Sequence, residues 1–184
     1  MENTFFDSET SIRLIAFTSI LLIFVLLEYL FPKREPSKIK HIRWYSNFGI
    51  TFINSFLLQT IFPILAIDMA FMVQESQFGL LHTLKLPYIL KIVIAILILD
   101  LVIYLQHRVF HTVGFLWDLH KMHHTDTDID VSTALRFHTF EIFILMAIKI
   151  IVVLLIGAPP EAVLLFEIFF NAMALFNHSN LKLP

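Results

Sequence analysis

The sequence predicts an all-α integral membrane protein: a helical bundle of about four to five spans with a histidine-rich, metal-binding cytoplasmic face. Three observations carry this. Of 184 residues, 58% are hydrophobic and 15% charged, against roughly 45–50% and about 25% in a soluble domain. The apolar residues gather into runs near the ~20 residues that a membrane span needs. Five of the nine histidines fall within residues 107–124, where even scatter would put about one. Mean hydropathy is +0.79, which excludes disorder. With 20 Phe and 4 Gly the chain is not collagen-like, and a net charge of -2 gives no basic field for nucleic acid. The absence of Cys excludes disulfides, thiolate-ligated haem, iron–sulfur clusters and a cysteine nucleophile within this chain.

The first span is expected at 14–31. Its start is acidic (Glu2, Asp7, Glu9) where a signal peptide is basic, so it reads as a retained helix. Lys33, Arg34, Lys38, Lys40 and Arg43 follow against a lone Glu35, then Trp44 and Tyr45 as interfacial anchors. The second span covers 48–73. Gln59, Pro63 and Asp68 interrupt it, so it is either one kinked crossing or a re-entrant pair of shorter helices. Pro87 opens the third, at 87–106, as Pro does at a first helical position. The fourth runs over 139–156. Gly157-Ala158-Pro159-Pro160 then breaks the chain, and Glu161 suits the first turn of a fifth helix at 161–177. The last two form a hairpin. Residues 1–184 read as one membrane domain, with the N-terminal spans in 1–99 and a histidine-bearing core in 100–184. The Lys/Arg bias after span one places that loop in the cytoplasm. With a single crossing at 48–73, His107 and His178 are delivered to the same side.

His107 and His111 stand at i and i+4; His120, His123 and His124 stand at i, i+3 and i+4. Each set lies on one helical face. Imidazoles gathered at that spacing offer several nitrogens to one cation, and ionisable groups beside a membrane are rarely idle. His178 ends span five and should meet this cluster as a further ligand. A single structural zinc is closed by four ligands, so the surplus suggests two metal ions. Without thiolates, redox-active iron is a natural occupant, although spacing alone does not separate iron from zinc.

Asp100 with His107-Arg-Val-Phe-His111, then the stretch from Leu116 through His120-Lys-Met-His123-His124-Thr125, resembles the sterol desaturase / fatty acid hydroxylase superfamily. Ser132 to His138 with Glu141, then Gly157-Ala158-Pro159 and Asn177-His178-Ser179-Asn180, continue the pattern. The resemblance covers about 100–184. It implies a membrane-bound di-iron oxygenase that uses O2 as co-substrate and hydroxylates or desaturates a membrane lipid, sterol or fatty-acyl. Its electrons would come from a separate cytochrome b5-, ferredoxin- or reductase-type donor. Two departures stand out. Thr139 follows His138 where the family typically has Pro, and the family's final His-x-x-His-His group is absent before Pro184. The sequence therefore reads as a fragment or a truncated member.

The expected metal ligands are His107, His111, His120, His123, His124 and His178. Asp100 and His138 are the candidate catalytic residues. Asp100 lies two helical turns before His107 on the same face and could orient a ligand or contact the metal. His138 is either a ligand or its support, or it simply positions Glu141. His41 and His82 lie away from these motifs. Asp126, Asp128 and Asp130 read as a solvated loop, since the glycine and terminal Glu of a calcium loop are missing. Trp117 and Arg136 read as fixing the cluster against the membrane surface rather than acting chemically. Lys149 and Glu167 lie at similar depth on either side of the hairpin and should pair, which lowers the cost of burying either. A metal transporter is the competing reading, but transport ligands sit near the bilayer midplane, whereas these histidines fall between spans three and four. A truncated, non-catalytic homologue is another. The expected location is a bacterial inner membrane with the metal face cytoplasmic, because no retention tail is visible.

Overall fold

Lipid offers no partner to backbone polar groups, so a spanning segment must satisfy them internally, as a helix does. The computed structural model describes residues 3–35 and 39–182. Glu2, used above to read a retained first helix, and Lys38, used for orientation, lie outside them, as do the side chain of Asp7 and the terminus at Pro184. Among the described residues every regular element is helical, apart from an isolated antiparallel bridge between Pro32 and Leu181. The order is α1 Asn3–Leu30, α2 Lys40–Ile61, α3 Ala66–Ser76, α4 Leu80–Thr83, α5 Tyr88–Thr112, α6 Gly114–His124, a 3-10 turn Val131–Leu135, α7 Thr139–Ile156 and α8 Pro160–His178. Five segments are long and apolar enough to cross a membrane, with α2 to α4 counted as one. The helical membrane class expected from the sequence is therefore the class observed.

Local chemistry sets the boundaries. Pro63 has no N–H to donate and restricts Phe62 before it, so α2 stops at Ile61. The Asp68 carboxylate accepts from Leu65 N at 2.8 Å, which restarts the helix as α3. Pro87 sits at the N-cap of α5, one residue before its expected place. That helix runs six residues further than expected, to Thr112, and so carries both His107 and His111. Gly157 ends α7 in the left-handed region at φ 67°.

The chain divides into two compact units. One comprises 54–120 and 138–167. Here α3, α4 and α5 pack on α7. The interrupted segment follows α7 in a single direction. Thr139 Oγ1 donates to Asn54 Oδ1 at 2.7 Å near the start of α7. The Phe62 ring lies 5.9 Å from that of Phe143, and Gly79 abuts Gly157 at its end. The segment is thus one broken crossing, not a re-entrant pair. Ala66, Ala70, Ala158 and Ala162 are fully buried; such small residues let helix backbones approach closely. The approach is closest at Gly79, where a Cβ would lie 2.3 Å from Gly157 N. Lys149 Nζ donates to Glu167 Oε1 at 2.7 Å, the pair expected from the hairpin register.

The other unit comprises 1–53, 121–137 and 168–184. Val131, Ala134 and Leu175 form its buried cluster, covered by Phe17, Phe24 and Trp44 among others. Polar groups fix the 125–136 connection. The Arg43 guanidinium grips Asp126 with two bonds, Nε to Oδ1 at 2.6 Å and Nη2 to Oδ2 at 2.8 Å. It also donates to Asp130 Oδ2 at 3.2 Å and to the Asp128 carbonyl. Trp44 Nε1 donates to Asp130 Oδ2 at 3.0 Å. Glu28 Oε1 accepts from Val131 N at 2.7 Å and Asn180 N at 2.6 Å. The acidic run is accordingly not a solvated loop. Asp126 and Asp130 are the buried anchors of the connection, because Arg43, far away in sequence, supplies the compensating charge. Burial alone raises the Asp126 carboxyl, but bonds from Arg43, Thr133 and Asn47, with the Arg43 charge, outweigh it and hold the group below the usual carboxylate range.

Candidate metal centre

In the 54–120/138–167 unit, the last turns of α5 present His107 and His111 four residues apart, and α6 brings His120 to them. The three rings stand at 4.7 Å from one another, centroid to centroid. One nitrogen from each falls within a 4.8 Å group able to hold a metal ion. The Nε2 atoms of His107 and His111 approach to 3.1 Å. His107 and His111 are exposed, while His120 is fully buried.

The orientation of His120 is set by Glu141. Its Nδ1 lies 2.6 Å from Glu141 Oε1. A carboxylate only accepts, so Nδ1 carries the proton and Nε2 keeps its lone pair for a metal. Glu141 is 4% exposed, and its other oxygen, Oε2, is buried without a hydrogen-bond partner among the described residues. A buried carboxylate with an unsatisfied oxygen beside three imidazoles is the environment a cation stabilises. Trp117 lies against the rings of His111 and His120, at 5.4 and 6.2 Å.

In the 1–53/121–137/168–184 unit, His123 and His178 meet with their Nε2 atoms 2.8 Å apart. Each Nδ1 faces a backbone carbonyl: that of Arg136 at 3.2 Å for His123 and that of Ala174 at 2.7 Å for His178. Carbonyls accept only, so both Nδ1 atoms carry protons. Two neutral rings in that tautomer turn bare Nε2 lone pairs toward each other. At 2.8 Å this repels unless a cation is shared between them. Phe137 stacks on His123 at 4.5 Å and 9°. His124 is exposed, its ring 5.2 Å from that of His123. Arg136 holds this end of α6 through Nε, which donates to the Met122 carbonyl at 3.0 Å.

The donor chemistry at both places fits a metal that takes neutral imidazole. The structure brings together His107, His111 and His120, and separately His123 and His178. Asp100 is exposed on α5, outside the three-histidine group. His138 caps α7, its Nδ1 accepting from Phe140 N at 3.2 Å. It thereby fixes the turn that carries Glu141. Sequence reasoning missed the role of Glu141 toward His120. The signal was present, since the first turn of a helix whose N-cap is His138 aims an acidic side chain back past the helix start. His41 is exposed and His82 sits in α4.

A family model described as Fatty acid hydroxylase matches residues 92–184. No curated protein and no solved structure matches the chain.

Proposed function

Because this chain belongs to the fatty acid hydroxylase family, we propose that it is a membrane-bound, O2-dependent oxidoreductase that hydroxylates or desaturates a lipid. The substrate is a fatty-acyl or sterol hydrocarbon, and the cofactor is a pair of irons. One observation supports this above others: His120, His123 and His178 have Nδ1 committed to acceptors and Nε2 left for a metal. His107, His111 and His120 would hold one ion; His123 and His178, with His124 beside them, would hold the other. Bound iron supplies the redox chemistry that activates O2 toward an unactivated C–H bond.

The protein's own groups do the rest. Glu141 holds the His120 ring in one tautomer and one orientation. His138 keeps Glu141 in place by capping α7. The carbonyls of Arg136 and Ala174 do the same for His123 and His178. For Asp100, outside the three-histidine group, the reading that it orients a ligand or contacts the metal rests on its sequence position alone, two turns before His107. Leu101, Tyr104 and Leu105 are exposed apolar groups on the last part of α5 and offer a hydrocarbon a surface leading to His107. No flavin or haem fingerprint occurs in the chain, so electrons come from a separate cytochrome b5-, ferredoxin- or reductase-type donor. The Lys/Arg bias supports a cytoplasmic metal face.

The test is metal content of the detergent-purified chain after anaerobic iron loading, beside the combined variant His120→Ala, His123→Ala, His124→Ala. About two irons per chain, lost in the variant, is the expected result for a complete pair of sites. Iron that is absent from the wild type, or retained by the variant, overturns the assignment. Oxidised lipid, read by mass spectrometry with a supplied reductase, then tests the reaction.

A further inference from the structure

A second polar site lies at the opposite end of α7 from Glu141, about 24 Å along the helix. A cavity of about 190 Å³ opens there within the 54–120/138–167 unit. Gln74, Gln77, His82, Tyr88 and Lys91 line it, with the Gly157 turn as its floor. Some of these groups are already engaged. The Tyr88 hydroxyl donates to Glu161 Oε2 at 2.5 Å, and Gln77 Nε2 donates to the Gln74 carbonyl at 2.6 Å. Three are not. Gln74 Oε1 and His82 Nε2 are buried without hydrogen-bond partners among the described residues. Lys91 lines the cavity and makes no ion pair among the described residues. The cavity therefore offers one ammonium, one imidazole nitrogen and one amide oxygen that only accepts.

The complement of that set is an anionic oxygen with an O–H or N–H donor close to it. A simple anion would satisfy Lys91 and His82 but leave the Gln74 oxygen unmatched. The surroundings are apolar. Ile89 and Leu90, beside Lys91, are 68% and 41% exposed, and Phe78 and Leu80 are 52% and 54% exposed. Lys91 stands one turn inside the start of α5, a 25-residue helix, where a lysine reaches the headgroup level. We propose that this cavity binds the headgroup of a glycerophospholipid. The phosphodiester sits at Lys91 and His82, a headgroup hydroxyl or amine donates to Gln74 Oε1, and the acyl chains lie along Ile89 and Leu90. A soluble glycerol phosphate shares the polar chemistry but would not use the apolar flanks.

Native mass spectrometry of the delipidated, detergent-purified chain tests this with three probes. These are lysophosphatidylglycerol, which has headgroup hydroxyls, lysophosphatidylcholine, whose headgroup has no donor and whose glycerol hydroxyl is common to both lipids, and glycerol phosphate. Lysophosphatidylglycerol should bind about tenfold more tightly than lysophosphatidylcholine, the effect of one unmatched buried acceptor. Lys91→Met should weaken both lipids by a similar factor, and Lys91→Arg should restore them. Gln74→Leu should erase the preference between the two lipids while keeping choline-lipid binding. It supplies an independent reading should Lys91→Met not fold. Equal binding of both lipids by the wild type, or affinities unmoved by Lys91→Met, overturns the proposal. Glycerol phosphate binding as tightly as the lysolipid would overturn the lipid assignment in favour of a soluble phosphate ester.

Discussion

Lys149 and Glu167, on the two arms of the α7–α8 hairpin, meet in the interior with Nζ and Oε1 2.7 Å apart. They are 7% and 6% exposed. Removing one partner of such a pair strands a buried charge, at a cost of about 3–5 kcal/mol, whereas replacing both by apolar groups is often neutral. Lys149→Met alone should therefore destabilise the protein strongly, and Lys149→Met with Glu167→Leu should recover most of the loss. Thermal unfolding in detergent reads both. Losses that simply add in the double variant would show that the pair is not coupled.

In the proposed function Glu141 would act on a bound iron through His120, whose Nδ1 lies 2.6 Å from its Oε1. Glu141→Leu removes the acceptor at Nδ1 and frees the ring, which should weaken iron binding about 10–100-fold, the usual cost of losing a ligand's orienting partner. Glu141→Gln should be milder, because an amide oxygen still accepts from Nδ1–H. Anaerobic iron titration of the purified chain compares them. Equal affinity in wild type and Glu141→Leu would remove Glu141 from the site.

The Arg43 fork holds two buried carboxylates and a carbonyl at once. A lysine has no planar fork and cannot reproduce this. Arg43→Lys should thus be nearly as damaging as Arg43→Met, which leaves Asp126 and Asp130 uncompensated at about 3–5 kcal/mol. Hydrogen exchange over residues 125–136 should rise in both variants. Protection retained in Arg43→Lys would mean that charge, not geometry, fixes the connection.

The contact between Gly79 and Gly157 leaves no room for a methyl. A Cβ on Gly157 would lie 2.5 Å from the Phe78 carbonyl oxygen, and its φ of 67° is strained for any L side chain. Gly157→Ala should cost about 1–3 kcal/mol from backbone strain alone, with the clash added. Gly79→Ala, against backbone on the facing side, should be at least as severe. Unchanged melting temperatures would show that the two segments do not pack this closely.

Much of this was legible in the sequence, because hydropathy and histidine spacing are local signals. The span at 139–156 begins and ends where α7 does, since an unbroken apolar run starts there and Gly157-Ala158-Pro159-Pro160 after it is strong punctuation. The Lys149–Glu167 pair followed from counting outward from one turn. What was not legible depended on partners distant in sequence. Asp126 and Asp130 look solvated until Arg43 is placed against them, 83 and 87 residues away. The choice between a kinked and a re-entrant segment at 48–73 required its neighbour, since Pro63 breaks a helix equally in both. At the candidate metal centre the clustering of histidines was legible from their spacing, whereas Glu141 needed the α6–α7 approach, 21 residues apart in sequence.

The division of the histidines into two groups makes a sharper prediction than the combined variant. His107, His111 and His120 form one set, and His123 with His178 forms the other. If each set holds its own ion, His111→Ala and His178→Ala should each lower iron from about two to about one per chain, and together bring it near zero. Single-site variants should leave the other set intact, because Glu141 orients His120 while the Arg136 and Ala174 carbonyls orient His123 and His178. His178→Ala also removes the close approach of two bare Nε2 atoms, so the iron-free form of that variant should not be less stable than iron-free wild type. Elemental analysis and thermal unfolding of the apo proteins read these two effects separately. Loss of both irons on either single substitution would instead mean that these nitrogens build one interdependent centre, and the independence of the two sets would be wrong.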